Sequence, residues 1–247
     1  MKRWTEEHKV KMREVTCLGK LRLLSLFDLL QDIAVKHASA LGLGYQSCFE
    51  KGVSWVGSSY KLKINRLPVQ DEEIHLETWI SGIGAASSLR EYKATDKEGN
   101  VLFRGATQWV LISLETLRPI PIAKHLSFDK TLVDEETMLS EPFARLKVPE
   151  RTDFKSEFVA RFDETDVNGH INNTVYPMWA AEAVPEEWKY QKEPTFVEIN
   201  FKRPIKSGQS VVVRTEMNET KTLHSIDAQD GTAVLIEICW KNIVKEA

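Results

Sequence analysis

The chain has 247 residues, 42% of them hydrophobic, so it can bury a core as one large domain or two smaller ones, and a disordered chain is excluded. Its formal net charge is -3 and its isoelectric point is near 6.1, so no global field would draw it to nucleic acid or to a membrane. The sequence has neither the apolar run of a secretory signal nor the roughly 20 apolar residues of a membrane span. Three widely spaced cysteines, Cys17, Cys48 and Cys239, suit a reducing compartment better than a disulfide framework. These features predict a cytoplasmic protein.

The first half of the chain predicts one long helix followed by antiparallel strands. A short strand is expected from His8 to Val15. Between Leu23 and Leu41, apolar residues recur at three- and four-residue steps, the period of a helix with one wide apolar face. Ser25 and Asp28 resemble a capping box at the helix start, and Gly42 suits its end. Several β-rich runs follow, and they begin at Val53, Glu72, Ser88 and Val101.

The periodic pattern then fades, and prolines accumulate among charged residues between Glu115 and Glu150, which is typical of a linker. We assign residues 1–120 to an N-terminal domain, residues 121–150 to the linker and residues 151–247 to a C-terminal domain. The order of elements repeats in the last of these. It predicts a strand from Ser156, a polar loop, a short apolar helix, and strands that begin at Thr195, Ser210, Thr222 and Thr232.

The two halves can be aligned by element, and KINRLPVQDEEIHLET in the first matches NFKRPIKSGQSVVVRTE in the second. A period near half the chain length indicates an internal duplication. Each half would contain one central helix and about five antiparallel strands, which can wrap around the apolar face of that helix. This is the hot-dog arrangement. The predicted fold class is therefore α+β, with a double (tandem) hot-dog fold.

The stretch most able to carry chemistry reads RFDETDVNGHINNTVYPMWAAEAVP and runs from Arg161 to Pro185. In an extended loop, alternate residues point to the same side. The side chains of Asp166, Asn168 and His170 are therefore expected to converge on one point. A carboxylate, an amide and an imidazole would then lie together immediately before a short apolar helix.

With these elements placed, the chain resembles the acyl-acyl carrier protein (acyl-ACP) thioesterases, the plant and bacterial enzymes that release fatty acids from their carrier protein. The resemblance covers almost the whole chain. It runs through LLSLFDLLQDIAVKHASALGLGY, VSWVGSSYKLKINRLPVQDEEIHLETWISG and ATQWVLISLETLRPIPI in the first half, and through DVNGHINNTVYPMWAAEAVP in the second. The last segment is similar to the family's catalytic loop and helix, which read Asp-x-Asn-x-His-x-Asn-Asn followed by a Trp and a Val-Pro.

This resemblance implies that Asp166, Asn168 and His170 occupy the catalytic positions. It implies hydrolysis of fatty acyl-ACP to free fatty acid and holo-ACP, with ACP carrying a fatty acyl-phosphopantetheine as the partner. Neither a cofactor nor a metal is expected, and a homodimer is left open. An acyl-coenzyme A thioesterase, a hot-dog dehydratase or hydratase, and a non-catalytic acyl-binding module are the alternatives.

One departure from the family pattern concerns the strand after the catalytic helix. Plant members carry an adjacent Glu-Cys pair there, and the matching residues of this chain are Pro204 and Ile205. A mechanism that needs that glutamate or a cysteine nucleophile therefore cannot be carried over. Glu182 on the helix and Glu198 on the next strand are the nearby carboxylates that could replace it, and the sequence does not choose between them.

Other interpretations of single residues carry less weight. An EF-hand-like calcium loop would begin at Glu164, but its twelfth position is Val175, which cannot supply the bidentate carboxylate. His37, on the apolar face of the long helix, is expected to be a core histidine. Two groups of basic residues form either a solvated edge or a surface for an acidic carrier protein. They are Lys61 and Lys63 in the first half and Lys202, Arg203 and Lys206 in the second.

Overall fold

The computed structural model describes residues 1–243, which form two compact units. The first unit comprises Met1–Leu21 and Leu26–Pro142, and the second comprises Arg22–Ser25 and the chain from Phe143 onward. The change of unit after Pro142 falls inside the segment 121–150 that the sequence assigns to a linker.

The first unit is an antiparallel sheet with one long helix. Its strands lie in the order β1-β3-β4-β5-β2. The elements, in chain order, are β1 (Arg3–Lys9), α1 (Leu23–Ala40), α2 (Tyr45–Phe49), β2 (Val53–Ile64), β3 (Glu73–Ile83), β4 (Ser87–Thr95), β5 (Val101–Ser113) and α3 (Ile122–His125).

The second unit repeats this plan with a shorter helix. Its strands lie in the order β7-β10-β9-β8-β6, again antiparallel. The elements are β6 (Phe154–Val159), α4 (Val175–Glu182), α5 (Glu186–Gln191), β7 (Lys192–Phe201), β8 (Ser210–Met217), β9 (Lys221–Ala228) and β10 (Gly231–Asn242).

The strand predicted from His8 to Val15 is wrong. β1 ends at Lys9, and a 3-10 turn follows at Met12–Glu14. The Glu14 carboxylate accepts hydrogen bonds from the Lys11 amide at 2.9 Å and from His8 Nε2 at 2.8 Å. These local bonds close the turn and outweigh the weak alternation of apolar residues that suggested a strand.

Helix α1 confirms the predicted apolar face but begins earlier than its predicted cap. It starts at Leu23, so Ser25 lies in the first turn and not before it. At the other end Gly42 has a φ of 71°, and the Leu43 amide donates to the Ala38 carbonyl at 2.8 Å, which is the expected glycine stop. The buried face consists of Leu23, Leu26, Phe27, Leu30, Ile33, Ala34 and His37.

His37 is a core histidine, as predicted. Its Nδ1 atom accepts a hydrogen bond from the buried Arg90 guanidinium at 3.0 Å, and the same Arg90 nitrogen lies 3.2 Å from Thr78 Oγ1. Burial, and then the positive charge of Arg90, lowers the pKa of His37 to about 4. The imidazole is therefore neutral at physiological pH and fits an apolar interior.

The segment of residues 128–150, called the strap below, is bound to each unit through hydrogen bonds with side chains. In the first unit the Trp79 indole donates to the Glu136 carbonyl at 2.8 Å, and the Met138 amide donates to the buried Glu91 carboxylate at 3.0 Å. In the second unit the Leu146 amide donates to Asn200 Oδ1 at 2.8 Å. The buried Glu91 carboxylate and the half-buried Asn200 amide thus each satisfy a backbone amide of this segment.

The internal duplication is visible in matching hydrogen bonds. The Arg66 amide donates to the Leu102 carbonyl at 3.2 Å, and the Arg203 amide donates to the Ala233 carbonyl at 3.1 Å. These contacts follow from the alignment of KINRLP with NFKRPI, so they confirm the predicted repeat. Among residues 1–243, no helix has the length and apolar character needed to cross a membrane.

Candidate active site

A tight turn between Thr165 and Ile171 carries the three polar side chains singled out by the sequence. These two residues pair as a β-bridge at its base. The Asp166 amide donates to the His170 carbonyl at 2.8 Å, and the Gly169 amide donates to the Asp166 carbonyl at 3.0 Å. Gly169 has a φ of 73°, in the left-handed region that glycine enters without steric cost. The chain therefore reverses direction between Asp166 and His170.

A 3-10 turn at Phe162–Glu164 fixes the start of this loop. The Glu164 carboxylate accepts a hydrogen bond from the Arg161 amide at 2.9 Å, and its carbonyl accepts one from the Asn172 amide at 2.8 Å. Glu164 thus contacts the chain on both sides of the loop. Because the Glu164 carboxylate binds the Arg161 amide, it does not serve as the first ligand of a calcium loop.

Asp166 and Asn168 are joined directly. Asp166 Oδ1 accepts from the Asn168 backbone amide at 2.8 Å, and Asp166 Oδ2 accepts from Asn168 Nδ2 at 3.2 Å. The expectation of an extended loop is therefore wrong, because the Asp side chain bonds to the backbone two residues on and bends the chain. The carboxylate and the amide still come together, and they do so through this turn.

His170 lies at the end of the turn, half-buried, next to the buried Ile171. Within residues 1–243, no hydrogen bond or ion pair of the His170 ring to another side chain is found, so its contact with Asp166 stays a prediction. The backbone bond between Asp166 and His170 nevertheless keeps these two residues side by side at the mouth of the turn. The imidazole is therefore half-buried and is carried by the same turn as the Asp166–Asn168 pair.

The first unit contains a loop of the same shape without this chemistry. Val15 and Leu21 form the bridge at its base, and the Thr16 amide donates to the Lys20 carbonyl at 2.8 Å. Gly19 has a φ of 72°, matching Gly169. Threonine, leucine and lysine therefore stand where the second unit has Asp166, Asn168 and His170. The backbone does not decide which loop can be catalytic; the side chains do.

Tyr176 lies on α4, the short apolar helix that follows the loop. Its ring is buried and packs edge-to-face against the Trp179 ring. Burial raises the pKa of Tyr176, and the negative charge of Asp166 raises it further. The side chain of Ile205 is fully buried, so nothing acidic or nucleophilic replaces the Glu-Cys pair at this position.

The two rival carboxylates are engaged elsewhere. Glu182 is exposed and pairs with Lys189 at 2.8 Å. Glu198 is buried and accepts a hydrogen bond from the Ala144 amide in the strap. Phe201, three residues further along β7, packs its ring against Tyr176 of α4. Because side chains alternate along a strand, Glu198 points to the face of the sheet opposite to α4.

The basic residues behave differently in the two units. Lys61 is buried and donates to the Glu141 carbonyl. The prediction that Lys61 belongs to an exposed basic surface is therefore wrong. Lys202 and Lys206 are exposed. Arg203 is also exposed, and its guanidinium donates to the Asp230 carbonyl. In the part of the chain that the structure describes, no group of three or more His, Cys, Asp or Glu side chains could hold a metal ion.

Two family models match the chain. The model of the acyl-ACP thioesterase N-terminal domain matches residues 1–127, and the model of the acyl-ACP thioesterase C-terminal domain matches residues 147–242. The matched relatives include a chloroplastic palmitoyl-acyl carrier protein thioesterase of Arabidopsis thaliana, which is 27% identical over 238 residues and covers 92% of this chain and 55% of its own. A chloroplastic acyl-acyl-carrier-protein hydrolase of Cuphea viscosissima is 23% identical over 209 residues, covering 80% and 50% respectively. The chain thus spans about half the length of these curated relatives.

Solved structures with the same fold come from bacteria and plants. An acyl-ACP thioesterase from Bacteroides thetaiotaomicron superposes with a TM-score of 0.86 at 21% identity, over 97% of this chain and 98% of that one. The 12:0-ACP thioesterase from Umbellularia californica gives a TM-score of 0.81 at 18% identity, over 98% of each chain. At this level of identity the likeness concerns the fold, and it confirms the predicted double hot-dog.

Proposed function

The chain belongs to the acyl-ACP thioesterase family, and on that premise we propose that it hydrolyses the thioester between a fatty acyl group and ACP. The observation that carries the proposal is the turn at Thr165–Ile171, which joins the Asp166 carboxylate to the Asn168 amide and bonds the backbones of Asp166 and His170. The equivalent loop of the first unit has the same backbone and none of these groups. One site per chain, in the second unit, follows from this asymmetry.

His170 acts as the general base in this proposal, and water is the nucleophile. The imidazole takes a proton from the water while the water oxygen adds to the thioester carbon. Collapse of the tetrahedral intermediate breaks the carbon–sulfur bond, and the departing thiolate takes the proton back from His170. A neutral imidazole is suited to this exchange at neutral pH.

Asn168 and Asp166 have the other two roles in this mechanism. The Asn168 side chain has two N–H donors, and one of them points to Asp166 Oδ2 at 3.2 Å. The other can donate to the thioester oxygen, where negative charge develops. Asp166 fixes the orientation of Asn168 through both of its oxygens and can stabilise positive charge on His170. This assignment needs no contribution from the positions of Pro204 and Ile205.

ACP as the partner is supported by the position of the exposed cations. The Ile205 carbonyl accepts the Ile171 amide at 2.8 Å, so the segment 202–206 adjoins the base of the loop. Lys202 and Lys206 flank that contact and are exposed to solvent. An acidic carrier bound to these lysines would bring its acyl-phosphopantetheine arm to the turn.

A panel of acyl thioesters tests the proposed function. The chain should release free thiol and free fatty acid from saturated acyl-ACPs, with a smaller rate on the matching acyl-coenzyme A. Water addition or removal on 3-hydroxyacyl or enoyl thioesters without thiol release would indicate a dehydratase or hydratase. Binding of acyl-ACP without turnover would indicate an acyl-binding module.

Two further expectations belong to the same proposal. A cytoplasmic location is inferred from cysteine usage, while the curated relatives are described as chloroplastic. Cys17, Cys48 and Cys239 are free thiols, which accords with a reducing compartment. The second concerns the oligomeric state, since the sequence leaves a homodimer open, and sedimentation of the purified chain measures it directly.

A further inference from the structure

The surface beside the turn at Thr165–Ile171 presents exposed apolar side chains. Phe162 lies in the 3-10 turn that precedes this loop, and its side chain is 83% exposed. The Phe162 carbonyl accepts the Thr165 amide at 3.1 Å and the Thr165 hydroxyl at 2.6 Å, so the 3-10 turn is bonded directly to the base of the loop. Val159, at the end of β6, and Val167, within the loop, are exposed as well. Large apolar side chains exposed on neighbouring segments are typical of a surface that binds another molecule.

The segment that carries the exposed cations is held beside Phe162 by backbone bonds. The Ala160 amide donates to the Gln209 carbonyl at 3.0 Å, and the Gly208 amide donates to the Ala160 carbonyl at 2.7 Å. Phe162 follows Ala160 by two residues, and Lys206 precedes Gly208 by two. The exposed ring and the exposed cations therefore lie on adjoining segments of one surface of the second unit.

The first unit makes the same backbone contacts with different side chains. The Val10 amide donates to the Glu72 carbonyl at 2.9 Å, and the Asp71 amide donates to the Val10 carbonyl at 2.9 Å. Asp71 has a φ of 65° and Gly208 has a φ of 83°, so both turns use the left-handed region at the same position. The two units are therefore aligned with Asp71 opposite Gly208 and Glu72 opposite Gln209.

In the first unit, these two acids compensate the neighbouring cations. The Arg66 guanidinium donates to both oxygens of the Glu72 carboxylate, at 2.8 and 2.6 Å. Lys9 Nζ lies 3.3 Å from Asp71 Oδ1. The positive charges on this side of the first unit thus have acidic partners within the same unit.

The second unit keeps the arginine and lacks both acids. Arg203 aligns with Arg66, because the two backbone amides donate to equivalent carbonyls, at 3.1 and 3.2 Å. Gly208 and Gln209 carry no charge where the first unit has its two carboxylates. The Arg203 guanidinium donates to the backbone carbonyl of Asp230 instead.

Two further differences between the units add positive charge. Lys202 and Lys206 stand where the first unit has Asn65 and Val69. Both lysines and Arg203 are exposed, and among residues 1–243 none of the three forms an ion pair. The second unit therefore has three uncompensated cations beside the loop that we propose to be catalytic. A surface of this charge is complementary to an acidic partner.

We propose that the acyl carrier protein docks on this surface of the second unit, with Lys202, Arg203 and Lys206 facing its acidic side chains and Phe162 as its apolar anchor. The inference rests on the proposed function, which requires the carrier protein as partner. Aromatic and arginine side chains are the residues that contribute most at protein interfaces. A polyanion such as nucleic acid would use the cations but would leave the Phe162 ring in water.

The apolar anchor is tested with Phe162→Ser and a matched control, Met12→Ser. Met12 begins the equivalent 3-10 turn of the first unit and is 78% exposed. Titration calorimetry with holo-ACP that carries no acyl group measures binding without turnover. Phe162→Ser should raise Kd about tenfold, the scale of an aromatic interface residue, and Met12→Ser should keep the wild-type Kd. Equal Kd values in the two variants would overturn the proposal.

The charge difference is tested by exchanging the acid between the units. Gln209 Oε1 accepts the Lys206 amide at 2.7 Å and Glu72 Oε2 accepts the Val69 amide at 2.9 Å, so Gln209→Glu can keep its bond to the backbone. The new carboxylate should pair with Arg203 and raise Kd for holo-ACP about threefold, the scale of one exposed ion pair. It should also weaken the salt dependence of Kd. Glu72→Gln, the reverse change, should alter neither quantity, and equal behaviour of the two variants would contradict the proposal.

Hydrolysis assays separate this proposal from the proposed function. Phe162→Ser and Gln209→Glu should raise KM for acyl-ACP and leave the rate on a short acyl-coenzyme A nearly unchanged. Equal losses on both substrates would assign the surface to the phosphopantetheine arm that they share, and would contradict docking of the carrier protein.

The two proposals can fail independently. If wild type binds holo-ACP with the expected order of Kd values but releases no thiol from acyl-ACP, the proposed function is wrong and the docking surface stands. If wild type hydrolyses acyl-ACP while both variants keep its Kd, the docking surface is wrong and the function stands. A wild-type dimer that Phe162→Ser dissociates in sedimentation would make this surface a contact between copies of the chain and would also overturn the proposal.

Discussion

At the residue scale, the Asp166–Asn168 pair is the feature on which the proposed chemistry depends. Asp166→Asn replaces an acceptor by an amide and disturbs both bonds to Asn168, and Asn168→Ala removes the donor itself. Each variant should stay folded and lose about 2–4 kcal/mol of transition-state stabilisation, measured from kcat/KM, the range for removal of one oxyanion donor. Thr16→Ala is the matched control, because Thr16 Oγ1 makes the corresponding bond to the Leu18 amide at 3.3 Å in the other loop.

Variants of Glu182 and Glu198, measured together with Asp166→Asn, decide which carboxylate the reaction needs. Glu182→Gln should be near wild type, since its side chain is exposed and paired with Lys189. Glu198→Gln should affect stability more than turnover, because its carboxylate supports the Ala144 backbone. Loss of hydrolysis in folded Glu198→Gln, with Asp166→Asn still active, would move the base system to that glutamate.

Two buried histidines, His37 and His224, predict how the free energy of unfolding depends on pH. His224 accepts or donates hydrogen bonds with Thr215 at 2.9 Å and Thr222 at 2.7 Å, and burial lowers its pKa to about 3 from 6.5. The unfolded chain binds this proton more readily, so stability is full above pH 6.5 and is lost as the pH falls toward 3. The slope is about 1.4 kcal/mol per pH unit for each such histidine, and His37 adds to it between pH 6.5 and 4.

Urea unfolding between pH 7.5 and pH 5 measures this slope. His224→Gln should show a shallower decline than wild type, whereas His125→Gln, at an exposed histidine, should keep the wild-type slope. A decline that is identical in the His224→Gln variant would assign the acid sensitivity to other groups.

At the scale of elements, the two helices suggest a division of labour. α1 has 18 residues and α4 has 8, and Leu30 on the buried face of α1 aligns with Ala180 of α4. We expect the first unit to accommodate the acyl chain. Leu30→Ala should enlarge the space beside α1 and shift the product profile toward longer chains, at a cost of about 2–5 kcal/mol in folding stability.

Product analysis by gas chromatography on a mixed acyl-ACP pool checks this expectation. Val35→Ala is the control, because Val35 is on the same helix and is 51% exposed. A product profile that does not change in Leu30→Ala, with turnover intact, would contradict the role given to the first unit.

Most strands and helices could be predicted from the sequence because their apolar residues recur at regular steps. The strands beginning at Val53, Val101 and Ser210 start where alternation of apolar residues predicts them. The predictions that fail are local. Side-chain bonds to the backbone close a turn at Glu14 and bend the loop at Asp166, and no hydrophobic period records such bonds.

At the scale of the whole molecule, the exposed cations near the loop predict how the carrier protein binds. Lys202→Glu together with Lys206→Glu should raise KM for acyl-ACP and leave the rate on a short acyl-coenzyme A nearly unchanged. Added salt should act on wild type in the same direction, because exposed charges are screened beyond about 8 Å at physiological ionic strength. Arg203 is left in place because its guanidinium supports the Asp230 carbonyl.

Lys155→Glu is the control for this experiment, since Lys155 is an exposed lysine on β6 of the same unit. Equal losses on acyl-ACP and acyl-coenzyme A in the double variant would indicate a structural defect. An unchanged KM for acyl-ACP would place the carrier surface elsewhere.

The duplication separates a backbone turn that both units share from the side chains that we propose to be catalytic. Both units build the same turn, bridge and supporting backbone contacts, and only Thr165–Ile171 carries Asp, Asn and His within it. The repeat and the candidate residues could be predicted from the sequence. The domain limits 1–120, 121–150 and 151–247 stay a prediction, because the strap between residues 128 and 150 has no periodic signal and is bound by single side chains, Glu91 in the first unit and Asn200 in the second.

The most direct test of the account is thiol release from acyl-ACP by His170→Ala, compared with Lys20→Ala at the equivalent position of the first loop. With water as the nucleophile and His170 as the base, kcat should fall by roughly 10²-fold or more in His170→Ala. Lys20→Ala should remain close to wild type, because that loop has no part in the reaction. Near-native kcat in a folded His170→Ala variant would contradict the central claim.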